Sequence, residues 1–314
     1  MEDVKSRKSI KKMMRFKKTI AIYILMLPGI LYFLVNNYLP MAGIIIAFKK
    51  INFSKGIFLS PWCGFDNFVF LFTSGNAWRI TRNTLLYNIA FIILQTIFAI
   101  FVAIMLNEIR RKFASRLYQT LILLPYLMSM VVVSYLAYAF LSGETGYINK
   151  SILPALGIDK PIAFFQEPKY WPFILTFINL WKGIGFGTII YLSSIIGISP
   201  EFYEAAKVDG ASKLQQIKFI TLPCLKPTVI TLFILSVGRI FYSDFGLFYQ
   251  IPKNSGMLYS VTQTIDTFVY NALMTQNNIG MSSAAGLYQS IVGFVFVVLA
   301  NSLIRKISRE DAMF

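Results

Sequence analysis

Lys182, Arg239 and Asp244 stand inside otherwise apolar runs, with Asn179, Tyr242, Tyr249, Tyr288 and Gln289 in the same or neighbouring runs. A charge in hydrocarbon costs on the order of 3 kcal/mol or more unless it faces protein or water, so the three are expected to point inward. Arg239 and Asp244 are five apart, a poor spacing for a pair on one helix, and each should find a partner elsewhere or line a path. Amides and phenols beside aromatic faces suit a solute rich in hydroxyls and C–H surface, such as a sugar. An aromatic at membrane depth more often packs or faces lipid than binds, and a structural ion pair is the competing role for the charges. The same side chains do not suit catalysis. With no His and only Cys63 and Cys224, the chain has no disulfide framework and no zinc or His-based site. It shows neither paired carboxylates for glycan cleavage nor the G-x-x-x-x-G-K-[ST] phosphate loop. The chain is therefore expected to hold no cofactor or metal and to be no enzyme.

The elements that would position these groups are membrane helices. Of 314 residues, 56% are hydrophobic and only 14% charged, which predicts an all-α polytopic membrane protein. The net charge of +16 does not imply nucleic acid, because in such a chain the position of each charge matters more than the sum. Residues 1–18 form a basic tail with eight Lys or Arg, followed by a first span at 19–39 that is too long for a signal peptide and lacks its cleavage site. Further spans are expected at 83–106, 118–140, 171–192, 227–249 and 284–304, with Pro125 kinking the third, and the last leads to a tail at 305–314. Four basic residues in 110–116, four from Lys207 to Lys226, three in the C-terminal tail and the eight at the N-terminus put 19 of 30 on one side. The charge rule makes that side cytoplasmic, with both termini inside and a bacterial plasma membrane as the location. Lys49, Lys50, Lys55, Arg79 and Arg82, in the expected external segment 40–82, run against the rule. Residues 250–283 read as a polar external excursion. Gly183, Gly185 and Gly187, and Ala284, Ala285 and Gly286, predict close helix approach.

Residues 199–223 form one long polar stretch that reads as ordered helix. Ser199 is placed to cap a helix opening on Pro200 and Glu201. Gly210 supplies a stop and a sharp reversal, and Ser212 with Gln215 makes a weak capping box for a second arm running to Pro223. A hairpin of about two turns per arm buries no core of its own and needs a partner.

The residues Glu204-Ala205-Ala206, then Asp209-Gly210, then Ile220, Leu222 and Pro223, resemble the EAA loop of binding-protein-dependent ABC importer permeases. Asn83-Thr84, Leu106-Asn107 and Leu124-Pro125 are similar to sugar-importer permeases. Thr264 to Tyr270, with Ala285 to Ser290, resembles the polysaccharide, LplB-type branch. The resemblance implies a six-span, type I (MetI-like) permease domain over 19–304, with 199–223 as the loop that docks on an ATPase. It also implies a second homologous permease subunit, two ATPase subunits that hold ATP and Mg2+, an extracellular solute-binding protein and an oligosaccharide substrate. A permease for another solute, such as a peptide, and a secondary transporter are the alternatives. Few acids in the spans and no internal repeat weigh against the latter.

Overall fold

The structure, a computed structural model, describes residues 19–307 apart from Ala21 and Arg110. The basic tail at 1–18 and the residues from 308 onward, Arg309 included, lie outside these. Helix α1, Ile22–Phe48, runs well past the expected end at 39. Pro40 does not stop it, because the helix tightens to 3₁₀ turns at Leu39 and Pro40 falls in the first of them, where its missing N–H is not needed. The end of α1 packs against the last helix of the chain.

Helix α2, Asp66–Thr73, and helix α3, Asn76–Asn107, follow, so α3 begins about two turns before the expected 83. Asn76, Ala77 and Ile80 are buried, which draws the helix start into the protein. The basic residues that conflict with the charge rule mostly have structural work. Lys49 is buried and donates to the Ile57 and Phe58 carbonyls at 3.2 and 2.6 Å. Arg79 reaches Gln263 at 2.8 Å, and Arg82 reaches the Ser260 carbonyl at 3.2 Å.

The third span is two helices, α4 (Lys112–Leu127) and α5 (Met130–Leu141), meeting at 93°. Pro125 lies within α4, and the break comes after it at Met128–Ser129, where Ser129 caps α5 through the Val132 N–H. A right-angle turn replaces the expected kink. Helix α6, Trp171–Ile196, packs on both α3 and α4. A methyl group at Gly185 would collide with the Ile122 backbone, one at Gly183 with the Gln95 side chain, and one at Gly187 would press on Ala99. The glycine row thus lets α6 approach two helices at once.

Helix α7, Pro200–Val208, turns into α8, Lys213–Val237. The second hairpin arm does not end at Pro223. It is the start of the next span, continued through a wide π turn at Ile217–Thr221. A proline ring clashes with the carbonyl four residues back, and the extra residue in that turn makes room for Pro223.

After Val237 the helix is lost, and 238–244 is non-helical before a further wide turn at Gly246–Gln250. The expected span at 227–249 is therefore broken near its middle. Helix α9, Ile265–Met274, and helix α10, Ile279–Ile307, complete the chain and pack on each other. The segment 250–283 is not a solvated excursion: Leu258, Thr262, Gln263, Thr264, Ile265, Thr267 and Phe268 are all buried. Asn254, Gln263, Thr264, Asp266, Thr267 and Asn271 spend their side chains on hydrogen bonds inside the protein, where composition alone reads loop, while residues 273–278 stay exposed. Among the described residues five helices are long and apolar enough to cross a membrane, or six if the bent α4–α5 pair counts as one span.

Candidate functional site

The hairpin is closed by backbone geometry. Gly210 has φ +78°, and the Ala211 and Gly210 N–H groups donate to the Ala206 and Lys207 carbonyls at 2.8 and 3.1 Å. That pattern is a Schellman stop, and only a residue at ease in the left-handed region completes it without strain. Ser212 and Gln215 form a full capping box. Ser199 occupies the first cap position, yet its side chain makes no cap bond there. Tyr203 and Thr221 join the arms by a hydroxyl contact of 2.9 Å.

The hairpin shows an unpartnered outer surface. No residue of α7 is buried, and Phe202, Val208 and Leu214 are exposed. Glu204, Ala205 and Asp209 are exposed as well, and Glu204 has neither Lys207 nor any other described residue as an ion-pair or hydrogen-bond partner. Ile220 is half-buried in the wide turn, while Leu222 and Pro223 open the following turn exposed. Among the described residues one ion pair, Lys213 to Glu108 at 3.0 Å, ties the hairpin to the end of α3.

At the break in the fifth span, side-chain amides from two helices hold three successive backbone carbonyls. Asn88 of α3 donates to the Ile240 and Tyr242 carbonyls at 2.8 and 3.2 Å, and Gln289 of α10 donates to Phe241 at 2.7 Å. Asp266, in the first turn of α9, accepts the Ser243 N–H at 2.7 Å and the Gln289 amide at 3.1 Å. Irregular backbone at membrane depth is tolerated where protein groups replace water, and this network does so. The outward side of the break carries Arg239, Tyr242 and Asp244, all exposed. Asp244 accepts from the Leu247 N–H at 3.1 Å, whereas the Arg239 side chain has no hydrogen-bond or ion-pair partner among the described residues. Tyr249 stacks on Phe245 with centroids 4.8 Å apart and meets Tyr270 edge-on at 4.9 Å.

Beside the break lies a cavity of about 330 Å³ between α3, α6 and α8, lined by Asn88, Gln95, Asn179, Phe186, Tyr191 and Ser236 among others. Asn179 accepts from Gln95 at 2.6 Å on its wall. Lys182 is not among the lining residues. It donates to the Tyr126 and Met128 carbonyls at 2.8 and 2.6 Å, at the frayed end of α4. Tyr288 is bonded to Thr81 at 2.8 Å and packs on Phe72. The structure thus gathers Arg239, Tyr242, Asp244 and Gln289 at one break, puts Asn179 in the cavity next to it, and sets Lys182 and Tyr288 apart.

Asn88, Gln95 and Ser243 were not singled out in the sequence. Asn88 and Gln95 are neutral amides in an apolar run, and that is the signal that finds them, because such an amide in a membrane helix marks a backbone or side chain to satisfy; Ser243, beside Asp244, carries no such signal.

Residues 95–309 match the family described as "Binding-protein-dependent transport system inner membrane component". The chain is similar to Protein LplB of Bacillus subtilis (strain 168), at 34% identity over 96% of this chain and 94% of that protein. It is also similar to the polygalacturonan/rhamnogalacturonan transport system permease protein YteP of the same organism, at 36% identity over 92% and 89%. Among solved structures it superposes on a chain of a bacterial ABC transporter involved in the import of the acidic polysaccharide alginate. The TM-score there is 0.84 at 33% identity, covering 95% of this chain and 99% of that one. A family match over residues 95–309 and relatives at 34% and 36% identity over more than nine-tenths of the chain make this chain a member of the binding-protein-dependent transport system inner membrane component family.

Proposed function

We propose that the chain is a transmembrane permease subunit of an ATP-driven importer for oligosaccharides, supplying half of the path and taking its drive through the hairpin. The observation that carries the reading is the hairpin itself: a rigid, doubly capped turn whose outer face, Glu204 included, is left without a partner. Such a surface fits a cleft on a cytoplasmic ATPase that binds ATP and Mg2+, two copies serving this subunit and a second homologous permease. A solute-binding protein delivers sugar on the opposite face. A structure of the alginate transporter with an alginate pentasaccharide-bound periplasmic protein supports that partner by similarity. In this arrangement both termini and the hairpin are cytoplasmic, in the plasma membrane of a bacterium.

Closure of the ATPases is carried by α7 into α6 and by the continuous α8 to the break at 238–244. A helix that runs unbroken from hairpin to break transmits displacement directly, and two states of different affinity are what coupling requires. Asn179, Tyr242, Asp244 and Tyr249 suit contacts to hydroxyls and C–H faces along the cavity and break. Arg239 suits a carboxylate on the solute, in keeping with an acidic polysaccharide as the cargo of a structural relative. Lys182, Tyr288 and Gln289 support the path rather than touch the solute.

The test is sugar-stimulated ATPase activity of the assembled complex, with ATPase co-purification as its companion. Glu204→Lys and Gly210→Arg are expected to abolish stimulation while the chain still inserts in the membrane. Full stimulation in either variant, or uptake by the chain with no ATPase present, overturns the reading.

A further inference from the structure

A cavity of about 400 Å³ sits at the hairpin end of the molecule, between the end of α3, the start of α4 and the end of α6. One wall is polar and cationic, from Lys112, Arg116, Ser115 and Gln119, and the other is apolar, from Leu192 and Ile196. Lys112 and Arg116 are exposed and have no hydrogen-bond or ion-pair partner for their side chains among the described residues. Glu108, the acid nearest in sequence, is already paired with Lys213. The cavity therefore keeps its positive charge.

Its surroundings say what kind of anion fits. Phe113, in the same turn of α4 as Lys112 and Arg116, is 81% exposed, and Ile196 is 68% exposed. Leu117, Tyr118, Leu121 and Leu124 continue an exposed apolar face along α4. An aromatic and aliphatic surface of that kind, starting level with two free cations, is the pattern of a headgroup depth in a bilayer rather than of bulk water. A soluble anion has no use for the apolar wall.

We propose that this cavity binds the headgroup of an anionic phospholipid from the leaflet on the hairpin's side, the phosphate held by Lys112 and Arg116 and the acyl chains lying along Ile196 and the outer face of α4. The bound lipid sits beside the Glu108–Lys213 tie, at the base of the hairpin.

Photo-crosslinking in membranes containing the full chain and its partners tests this, with diazirine-bearing phosphatidylglycerol compared with diazirine-bearing phosphatidylcholine. The expected result is preferential labelling of the peptide holding residues 106–119 by the anionic lipid, falling about 5-fold for each of Lys112→Gln and Arg116→Gln. Equal labelling by both lipids, or labelling unchanged in the double variant, overturns the proposal. Inorganic phosphate at the ionic strength of a chloride control is expected to leave labelling intact, and selective displacement by phosphate would mean a soluble-anion site instead. If the double variant loses the ATPase on purification while lipid labelling persists, the cations serve protein docking and the lipid assignment falls. None of these outcomes depends on sugar transport.

Discussion

Lys182 reaches from the middle of α6 to the carbonyl of Met128, Nζ to oxygen 2.6 Å, across the right-angle bend of the third span. The same ammonium lies 2.8 Å from the Tyr126 carbonyl and 5.7 Å from the centre of the Tyr126 ring, which stacks on Phe186. A helix that stops inside a membrane leaves carbonyls with no water to bond, and a cation there answers both the orphan groups and the negative end of the helix dipole. The charge inside the fourth span thus clasps the carbonyls of the bend.

Lys182→Met is accordingly predicted to lower stability by about 2 kcal/mol, the range for losing charge-assisted hydrogen bonds and stranding their acceptors. Lys182→Arg should recover part of the loss, since a guanidinium still donates but reaches with a different shape. Thermal unfolding of the purified complex in detergent reads the difference. A melting temperature for Lys182→Met equal to that of the parent rules out the clasp.

Asp266 and Gln289 are predicted to be energetically coupled. Asp266→Ala removes the acceptor of the Ser243 N–H and of the Gln289 amide, and Gln289→Ala strands the Phe241 carbonyl. Each should cost about 1 to 3 kcal/mol, and a double-mutant cycle should show about 1 kcal/mol of interaction. Strictly additive losses would show that the two side chains do not act on one network. Asn88→Leu, which removes the donor from α3 to the flanking Ile240 and Tyr242 carbonyls, should impair uptake while leaving basal ATPase activity in place.

The broad architecture was legible in the sequence because hydrophobic length, basic flanks and the Gly210 stop act locally. The hairpin's reversal needs only a residue at φ +78° and a capping box at Ser212 and Gln215. What the sequence did not disclose is the break at 238–244. Those residues sit inside a longer run that reads as helix, and the groups that hold the carbonyls freed where the helix stops are Asn88 and Gln289, distant in sequence and near in space. The same remoteness hid the burial of 250–283, whose hydroxyls and amides look solvated until their partners on α3 are known. Thr84 accepting the Ile265 N–H at 3.1 Å is one such partner.

Gly210 offers a sharper test of the hairpin than a bulky replacement. Outside the two flanking residues no atom of the chain lies within 4 Å of where a Cβ would stand, so a small side chain acts through backbone strain and not through collision. Asn tolerates the left-handed region and Val does not, at a cost of roughly 1 to 2 kcal/mol. Gly210→Asn is expected to keep most of the sugar-stimulated ATPase activity and Gly210→Val to lose it. Similar activity in the two would mean that the turn geometry is not what the ATPase reads.

The Glu108–Lys213 pair predicts a dissociation of stability from coupling. Both side chains are well exposed, at 45% and 60%, so breaking the pair should cost well under about 1 kcal/mol. It is nonetheless the described ion pair that joins the hairpin to α3. Glu108→Lys or Lys213→Glu should leave melting unchanged and lower stimulated ATPase activity, and the exchanged double variant should restore it. Failure of the exchange to rescue would assign the loss to the individual charges and not to their pairing.

Arg239 is the place where cargo preference should be tunable. Its guanidinium is exposed at the break, unpaired among the described residues, while the nearby Asp244 carboxylate already caps the Leu247 N–H. A solute carboxylate would gain a charge-assisted bond from Arg239 that a neutral sugar cannot make. Losing one such bond is worth about 1.5 to 3 kcal/mol, or at least a tenfold change. Arg239→Gln is therefore predicted to raise the half-saturating concentration for uptake of an acidic oligosaccharide about tenfold while changing that of a neutral one of equal length little. Arg239→Lys keeps the charge but not the planar fork and should fall between. Uptake by the reconstituted complex, measured with both cargoes at saturating binding protein, separates the cases. An equal loss for the two cargoes would make Arg239 a structural group of the break, and no loss for either would remove it from the path.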